Sequence, residues 1–317
     1  MFRASFILKF VLTGAVAFSL LLPMKHVWTM SEGCRSASVP ATFLAYCQNP
    51  SFASYEHAAV FYGLEPAMVE NLRRADVILV GDSELLIGFS EANVETFFAK
   101  HGIRYFLLGF GYGESSEFAF AVLRKYAIKP KVLVLNIDPF FRHFRSPPAM
   151  DVLGGGIESH VRGLEKKLSQ ELHNWTCQNF PTRCAGTFAS IYRSPLTGRW
   201  YWHDTLAPPT LAYPFQSSPP PDPKLVADAI SIGETFLAEL GLDRQCIILT
   251  GVPTPEYDTA FFANTLAARL GTRSVNAAAE GLATIDRGHL NAASAERWST
   301  AFLAEAEPVI RGCLDRR

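Results

Sequence analysis

The run Val77-Ile78-Leu79-Val80 constrains this chain more than any other stretch. A strand that is apolar without alternation must be covered on both faces. That is the condition of a strand inside a parallel sheet with helices on either side. Gly81, Asp82 and Ser83 follow at once and place small and polar groups where the strand emerges. In open α/β sheets, sites are built at the carboxyl ends of the strands. Two readings are open at this point. Gly-Asp-Ser is a turn and nothing more, or Ser83 is a nucleophile.

The rest of the chain alternates in the same way. Strand candidates are 76–81, 103–109, 131–137, 246–252 and a weaker 273–276. Helix candidates are 90–101, 114–127, 223–240, 259–270 and 291–306. In the last of these, Asn291 is the N-cap, and Ala295, Trp298, Phe302 and Ala306 recur at helical spacing. Such alternation predicts an α/β fold of three layers, a mainly parallel sheet between helices. Residues 31–75 read as a lead-in with helical patches, and 76–317 as the main domain. An insertion over about 142–222 follows the carboxyl end of the third strand, where it is placed to cap a site. It holds a polar helix, a loop between Cys177 and Cys184, and the cluster Trp200-Tyr201-Trp202. Core or hairpin packing accounts for such aromatic clusters more often than ligand stacking does. Stacking of Trp200 and Trp202 on sugar rings is the functional alternative.

The first 30 residues differ in kind. Phe10 to Met24 is apolar apart from Thr13 and Ser19, and Lys9 can snorkel at its start. With Phe6 to Leu8 the run is long enough to cross a bilayer. Arg3 and Lys9 precede it, and no clear small-x-small cleavage site follows. The expectation is an uncleaved signal anchor over 1–30, a single pass through the cell inner membrane with the main domain in the periplasm. A cleaved signal peptide is the second reading, and a buried core helix, disfavoured by the terminal position and basic flanks, is the third. The six cysteines fit an exported chain, with disulfides expected at Cys177–Cys184 and Cys34–Cys47. Cys246 reads as a buried strand residue, and Cys313 has no evident partner. No cysteine or histidine spacing suits a metal, so neither metal nor cofactor is expected. The net charge of −1 gives no support to a nucleic-acid partner.

Asp286 and His289 lie three apart in a loop leading into the last helix. A carboxylate at that spacing reaches one imidazole nitrogen and leaves the other facing away. This is what a general base needs, since the acid fixes its tautomer and stabilises its cation. A surface turn with Asp286 as turn former accounts for the pair equally simply, until its position after the last strand is considered.

Gly81-Asp82-Ser83, the turn Gly109-Phe-Gly-Tyr-Gly-Glu-Ser115 and Asp286-Arg-Gly-His-Leu-Asn291 together resemble the SGNH/GDSL hydrolase superfamily. The order of these blocks, over nearly all of residues 76–306, is more specific than any one of them. The resemblance implies a flavodoxin-like α/β/α sandwich, with Ser83 as nucleophile, His289 as base and Asp286 as its orienting partner. It implies an oxyanion hole from the Ser83 amide, a glycine amide best matched by Gly113, and an asparagine side chain. This chain departs from the pattern in two places. The segment after the serine, Glu84-Leu-Leu-Ile-Gly88, is more apolar than usual. The third block reads Val132-Leu-Val-Leu-Asn-Ile-Asp138 instead of ending in Gly-x-Asn-Asp. Asn136 falls early, either bonding locally at the strand end or donating to an oxyanion. Asp138 is closer to the expected place, but an ionised carboxylate cannot donate. Arg142 either replaces the donor or pairs with Asp138. The altered block is similar to that of the membrane-associated branch containing bacterial glycan O-acetyltransferases and teichoic-acid D-alanylation proteins.

Two function classes follow. One is an extracytoplasmic serine esterase or O-acyltransferase acting on an ester-bearing substrate, with a polysaccharide as the candidate. The other is a non-catalytic, membrane-anchored glycan-binding or assembly protein on the same fold, because fold alone does not grant activity.

Overall fold

The computed structural model describes residues 12–14, 16, 34, 41–49, 54–137, 140–180, 188–202, 212–215 and 218–316. The expected anchor over 1–30 therefore lies almost wholly outside the described residues. Among the described residues no helix is long and apolar enough to cross a membrane.

Five parallel strands form the centre: β2 (Val77–Gly81), β3 (Tyr105–Gly109), β4 (Val132–Asn136), β8 (Ile247–Thr250) and β9 (Arg273–Ser274). Their spatial order is β3-β2-β4-β8-β9. Counted along the chain within this sheet, that is 2-1-3-4-5, a doubly wound order whose direction reverses between β2 and β4. Side chains alternate across the sheet. Ile78, Val80, Leu133, Leu135 and Leu249 enter one apolar layer. Val77, Leu79, Val132, Val134 and Ile248 enter the other.

The first layer is closed by α1 (Tyr55–Tyr62), α2 (Pro66–Arg74), α5 (Ser116–Lys125), α8 (Pro223–Leu240) and α9 (Thr259–Leu270). The second is closed by α3 (Ser83–Gly88), α4 (Glu91–His101) and α10 (Ala292–Leu314). There the fully buried Trp298 meets Phe89 edge-on, with ring centroids 5.0 Å apart, and stacks on Phe302. Capping sets the helix ends. Asp222, Asp258 and Asn291 each accept a hydrogen bond from the first turn of the helix they precede. Gly241 and Gly271 take left-handed conformations that end α8 and α9.

The insertion contributes α6 (Pro147–Gly154), α7 (Gly156–Asn179), β5 (Ser190–Arg193), β6 (Trp200–Trp202) and β7 (Tyr213–Pro214). It is joined to the lead-in: β1 (Phe43–Cys47) pairs antiparallel with β5, in the order β1-β5-β6. The fully buried Arg193 fastens this small sheet to the edge strand β3. Its guanidinium donates to the carbonyls of Leu107 and Gly109, each at 2.8 Å, and to Glu56 at 2.9 Å. Two edge carbonyls that would otherwise template another chain are thereby occupied.

Cys34 and Cys47 are bridged as expected. The expected pairing of Cys177 involves Cys184, which lies outside the described residues. The reading of Cys246 as a plain buried residue needs correction, because it is bridged to Cys313. The last helix runs past the expected Ala306, through Pro308, to Leu314. That extra length brings Cys313 back beside the start of β8.

Because Arg193 and Glu56 are both buried, removing one leaves an uncompensated charge. Arg193→Met is expected to cost about 3–5 kcal/mol, read as a lowered midpoint in urea unfolding.

Candidate active site

Ser83 opens α3 directly after β2. The turn works because Gly81 and Gly109 lack side chains. A Cβ on Gly81 would stand 3.0 Å from Asn136 Cβ, and one on Gly109 would stand 2.8 Å from the Asp82 carbonyl. The buried Asp82 caps α3, its Oδ1 accepting from the Glu84 amide at 3.2 Å. Ser83 is thus held on a short strand-to-helix turn at the carboxyl edge, beside the point where the sheet reverses direction.

His289 reaches the same place from the far end of the chain. Its loop closes as a narrow hairpin: the Ile285 amide donates to the His289 carbonyl at 2.9 Å, and Thr284 bridges Leu290. Arg287 takes a left-handed φ of 71°, which turns His289 back over Asp286. From the insertion, β7 pairs with β10 (Ala283–Thr284), and Arg287 lies over the Tyr213 ring. The expected capping segment therefore buttresses the histidine loop.

The three side chains form one hydrogen-bonded chain. Ser83 Oγ is 2.9 Å from His289 Nε2, and His289 Nδ1 is 2.7 Å from Asp286 Oδ2. Asp286 Oδ1 also accepts from the amides of His289 and Gly288, at 2.8 and 3.0 Å. Partial burial pushes the Asp286 carboxyl up. The hydrogen bonds and charge of His289, with the two amides, outweigh this and hold it far below the usual carboxylate range. An ionised Asp286 accepts only, so Nδ1 donates to it and Nε2 is left to accept from Ser83.

Glu84 was not singled out from the sequence. Its Oε2 is 3.3 Å from Ser83 Oγ and its Oε1 is 3.5 Å from His289 Nε2. A second carboxylate therefore faces the nitrogen that would take the serine proton. The only signal in the sequence was a charged residue next to the serine.

Gly113 sits in a turn where Tyr112 and Gly113 both have positive φ, 64° and 57°. Arg142 donates to the Gly113 carbonyl and lies over the Phe144 ring. The positive φ of Gly113 favours glycine, and a Cβ there would stand 2.7 Å from the tip of the Arg142 side chain, which would have to shift. Beneath the turn, the buried Glu114 binds His57 Nε2 at 3.1 Å, the Ser115 amide at 3.0 Å and the Ser146 hydroxyl. Burial raises the Glu114 carboxyl, but His57, Ser146 and the amide more than offset it, and the net direction is down. Asp138, the other candidate partner of Arg142, lies outside the described residues.

Asn136 is the last residue of β4 and fully buried. Its Oδ1 accepts from the Val252 amide at 2.9 Å, which fixes the orientation of the side-chain amide. Its Nδ2 has no hydrogen-bond partner among the described residues. Trp200 is buried, with its indole N–H on Glu56 at 2.9 Å and its ring against Gly111. The Trp202 side chain lies outside what the structure describes. Among the described residues no cluster of His, Cys, Asp and Glu is arranged to hold a metal ion.

Comparison with protein-family models, with curated proteins and with solved structures finds no match to this chain.

The geometry makes two predictions that need no substrate. Nitrogen-15 NMR should find His289 protonated on Nδ1, and Asp286→Asn should shift it toward the Nε2–H tautomer, because an amide no longer demands a donor. Glu84→Gln removes an anion that stabilises the imidazolium. The titration of His289 followed by the same signals should move to lower pH.

Proposed function

We propose that this chain is a serine acyl esterase or O-acyltransferase of the SGNH/GDSL type, with a flavodoxin-like domain tethered by residues 1–30 and working outside the cytoplasm. The observation that carries this reading is the hydrogen-bonded chain from Ser83 through His289 to Asp286, whose first and second members are 206 positions apart.

The chemistry follows from the side chains present. His289 Nε2 takes the Ser83 proton as Oγ attacks the ester carbonyl carbon. The carbonyl π electrons move to oxygen, where the resemblance supplies the Ser83 and Gly113 amides as donors. Asn136 Nδ2 is a third candidate, supported by its lack of a hydrogen-bond partner among the described residues at the end of a switch-point strand. Collapse of the intermediate breaks the bond to the alkoxy oxygen, which receives the proton from His289. The acyl group on Ser83 then passes to water, or to a hydroxyl on an acceptor, with His289 again removing a proton. Asp286 stays ionised throughout and stabilises the imidazolium, and Glu84 adds a second negative charge near Nε2.

A polysaccharide remains the candidate acceptor class, drawn from the resemblance and not from Trp200, which packing already occupies. The non-catalytic glycan-binding alternative draws on the altered third block, which reads Val132-Leu-Val-Leu-Asn-Ile-Asp138 where the resemblance calls for Gly-x-Asn-Asp.

Hydrolysis of an activated acetate ester tests the reading. Ser83→Ala should lower kcat by about 10⁶-fold, and His289→Ala by nearly as much. Asp286→Asn should cost about 10⁴-fold, because the base is impaired and the nucleophile kept. Turnover indifferent to Ser83 would reject the enzyme.

A further inference from the structure

Helix α7 is amphipathic the wrong way round for a surface helix of a soluble domain. Against the body it buries Ser159, Gly163, Ser169, Gln170, His173 and Thr176. Outward it presents Ile157, Val161, Leu164, Leu168, Leu172 and Trp175, between 36% and 85% exposed. Steps of four and three residues keep these six on one line over five turns, about 27 Å long. A contiguous apolar stripe of this size marks an interaction surface.

Where the chain enters the body indicates the occupant. Cys34 is bridged to Cys47 and pairs with Phe188. A hydrogen bond also links its backbone to His173, at the carboxyl half of α7. Residues 25–33 separate Cys34 from the apolar run ending at Met24, and nine residues span at most about 30 Å. A bilayer crossed by that run would lie within about this distance of Cys34, which is joined to the same helix through His173. At the same end the exposed Trp175 is the side-chain type that settles at headgroup depth, and the exposed Phe180 ring packs edge-on against it. The apolar run does not itself cover the stripe through its described residues, since Leu12 and Val16 are each more than half exposed. A second copy fits less well. On one flank Glu158 and Glu165 follow Ile157 and Leu164, and antiparallel copies would set these acids against each other. On the other flank His160 stacks on Tyr62 and Lys167 binds Leu64 and Glu65. Lys167 is thus already engaged within the chain, with Glu171 as a further partner, and the His160 ring is occupied by Tyr62.

We propose that α7 lies along the surface of a phospholipid bilayer, with the stripe from Ile157 to Trp175 buried at the boundary between headgroups and acyl chains. The inference rests on the proposed insertion of residues 6–24. It adds a second contact that fixes how the domain is oriented on the membrane.

The test uses the full chain in vesicles of phosphatidylethanolamine and phosphatidylglycerol, with a nitroxide at Leu168→Cys or, on the opposite layer, at Lys100→Cys. The Leu168 label should be accessible to oxygen and shielded from a water-soluble nickel chelate, with the Lys100 label showing the reverse. Nickel access at Leu168 equal to that at Lys100 overturns the inference. If alkaline carbonate then fails to extract the chain, the anchor stands and α7 alone is misassigned. If carbonate extracts it, the anchor fails as well. Spin–spin broadening between Leu168 labels would also overturn the inference and give the stripe to a second copy.

Discussion

A sheet that is apolar on both faces has to be covered on both faces, and this requirement organises the molecule. Val77 through Gly81 is buried along its whole length, and so is Val132 through Asn136. Helices must therefore return the chain over alternate faces, and each parallel strand must start again from the same edge. All carboxyl ends consequently gather on one rim. Residues as far apart as Ser83 and His289 meet there without either being long or flexible. The close approach of Gly81 to Asn136 and of Gly109 to Asp82 shows how little room the rim leaves. Glycine at these positions allows the serine turn to pack directly onto its neighbours.

The parts of the fold legible in the sequence are those written locally. Helices α8 and α9 begin and end at the expected residues, because Asp222-Pro223 and Asp258-Thr259 supply caps and Gly241 and Gly271 supply stops. The central strands were found within about two residues, since an unbroken apolar run bounded by turn formers has few other uses. The small antiparallel sheet was not legible. Its strands are short, and β1 pairs with a segment about 145 positions away, which no local pattern encodes. The Cys246–Cys313 bridge was missed for the same reason, because it depends on the unforeseen length of α10.

The candidate site shows the same division. The local signals at Ser83 and at Asp286 and His289 each left a plain turn open, and it was the order of the blocks in the resemblance that singled out the three side chains the structure brings together. Glu84, Glu114 and Glu56 were not legible. Each acts through partners distant in sequence or through a side-chain direction that spacing does not determine. In α7 the periodicity was present in the sequence, yet periodicity says only that two faces differ. Which face turns inward is settled by Gly163 against Ala58 and Leu64, and by Gln170 accepting the Leu44 amide at 2.7 Å.

The central claim is that Ser83 is a nucleophile made reactive by His289 and Asp286. Covalent trapping measures this most directly, since it reads the nucleophile without requiring the natural ester. A fluorophosphonate probe, followed by peptide mass spectrometry, should place one phosphonyl group on Ser83. The rate should fall as pH drops and His289 takes up its proton. The adduct should be absent in Ser83→Ala and strongly slowed in His289→Ala. A folded chain that stays unlabelled at Ser83 across that pH range, or labels equally fast without His289, would contradict the account.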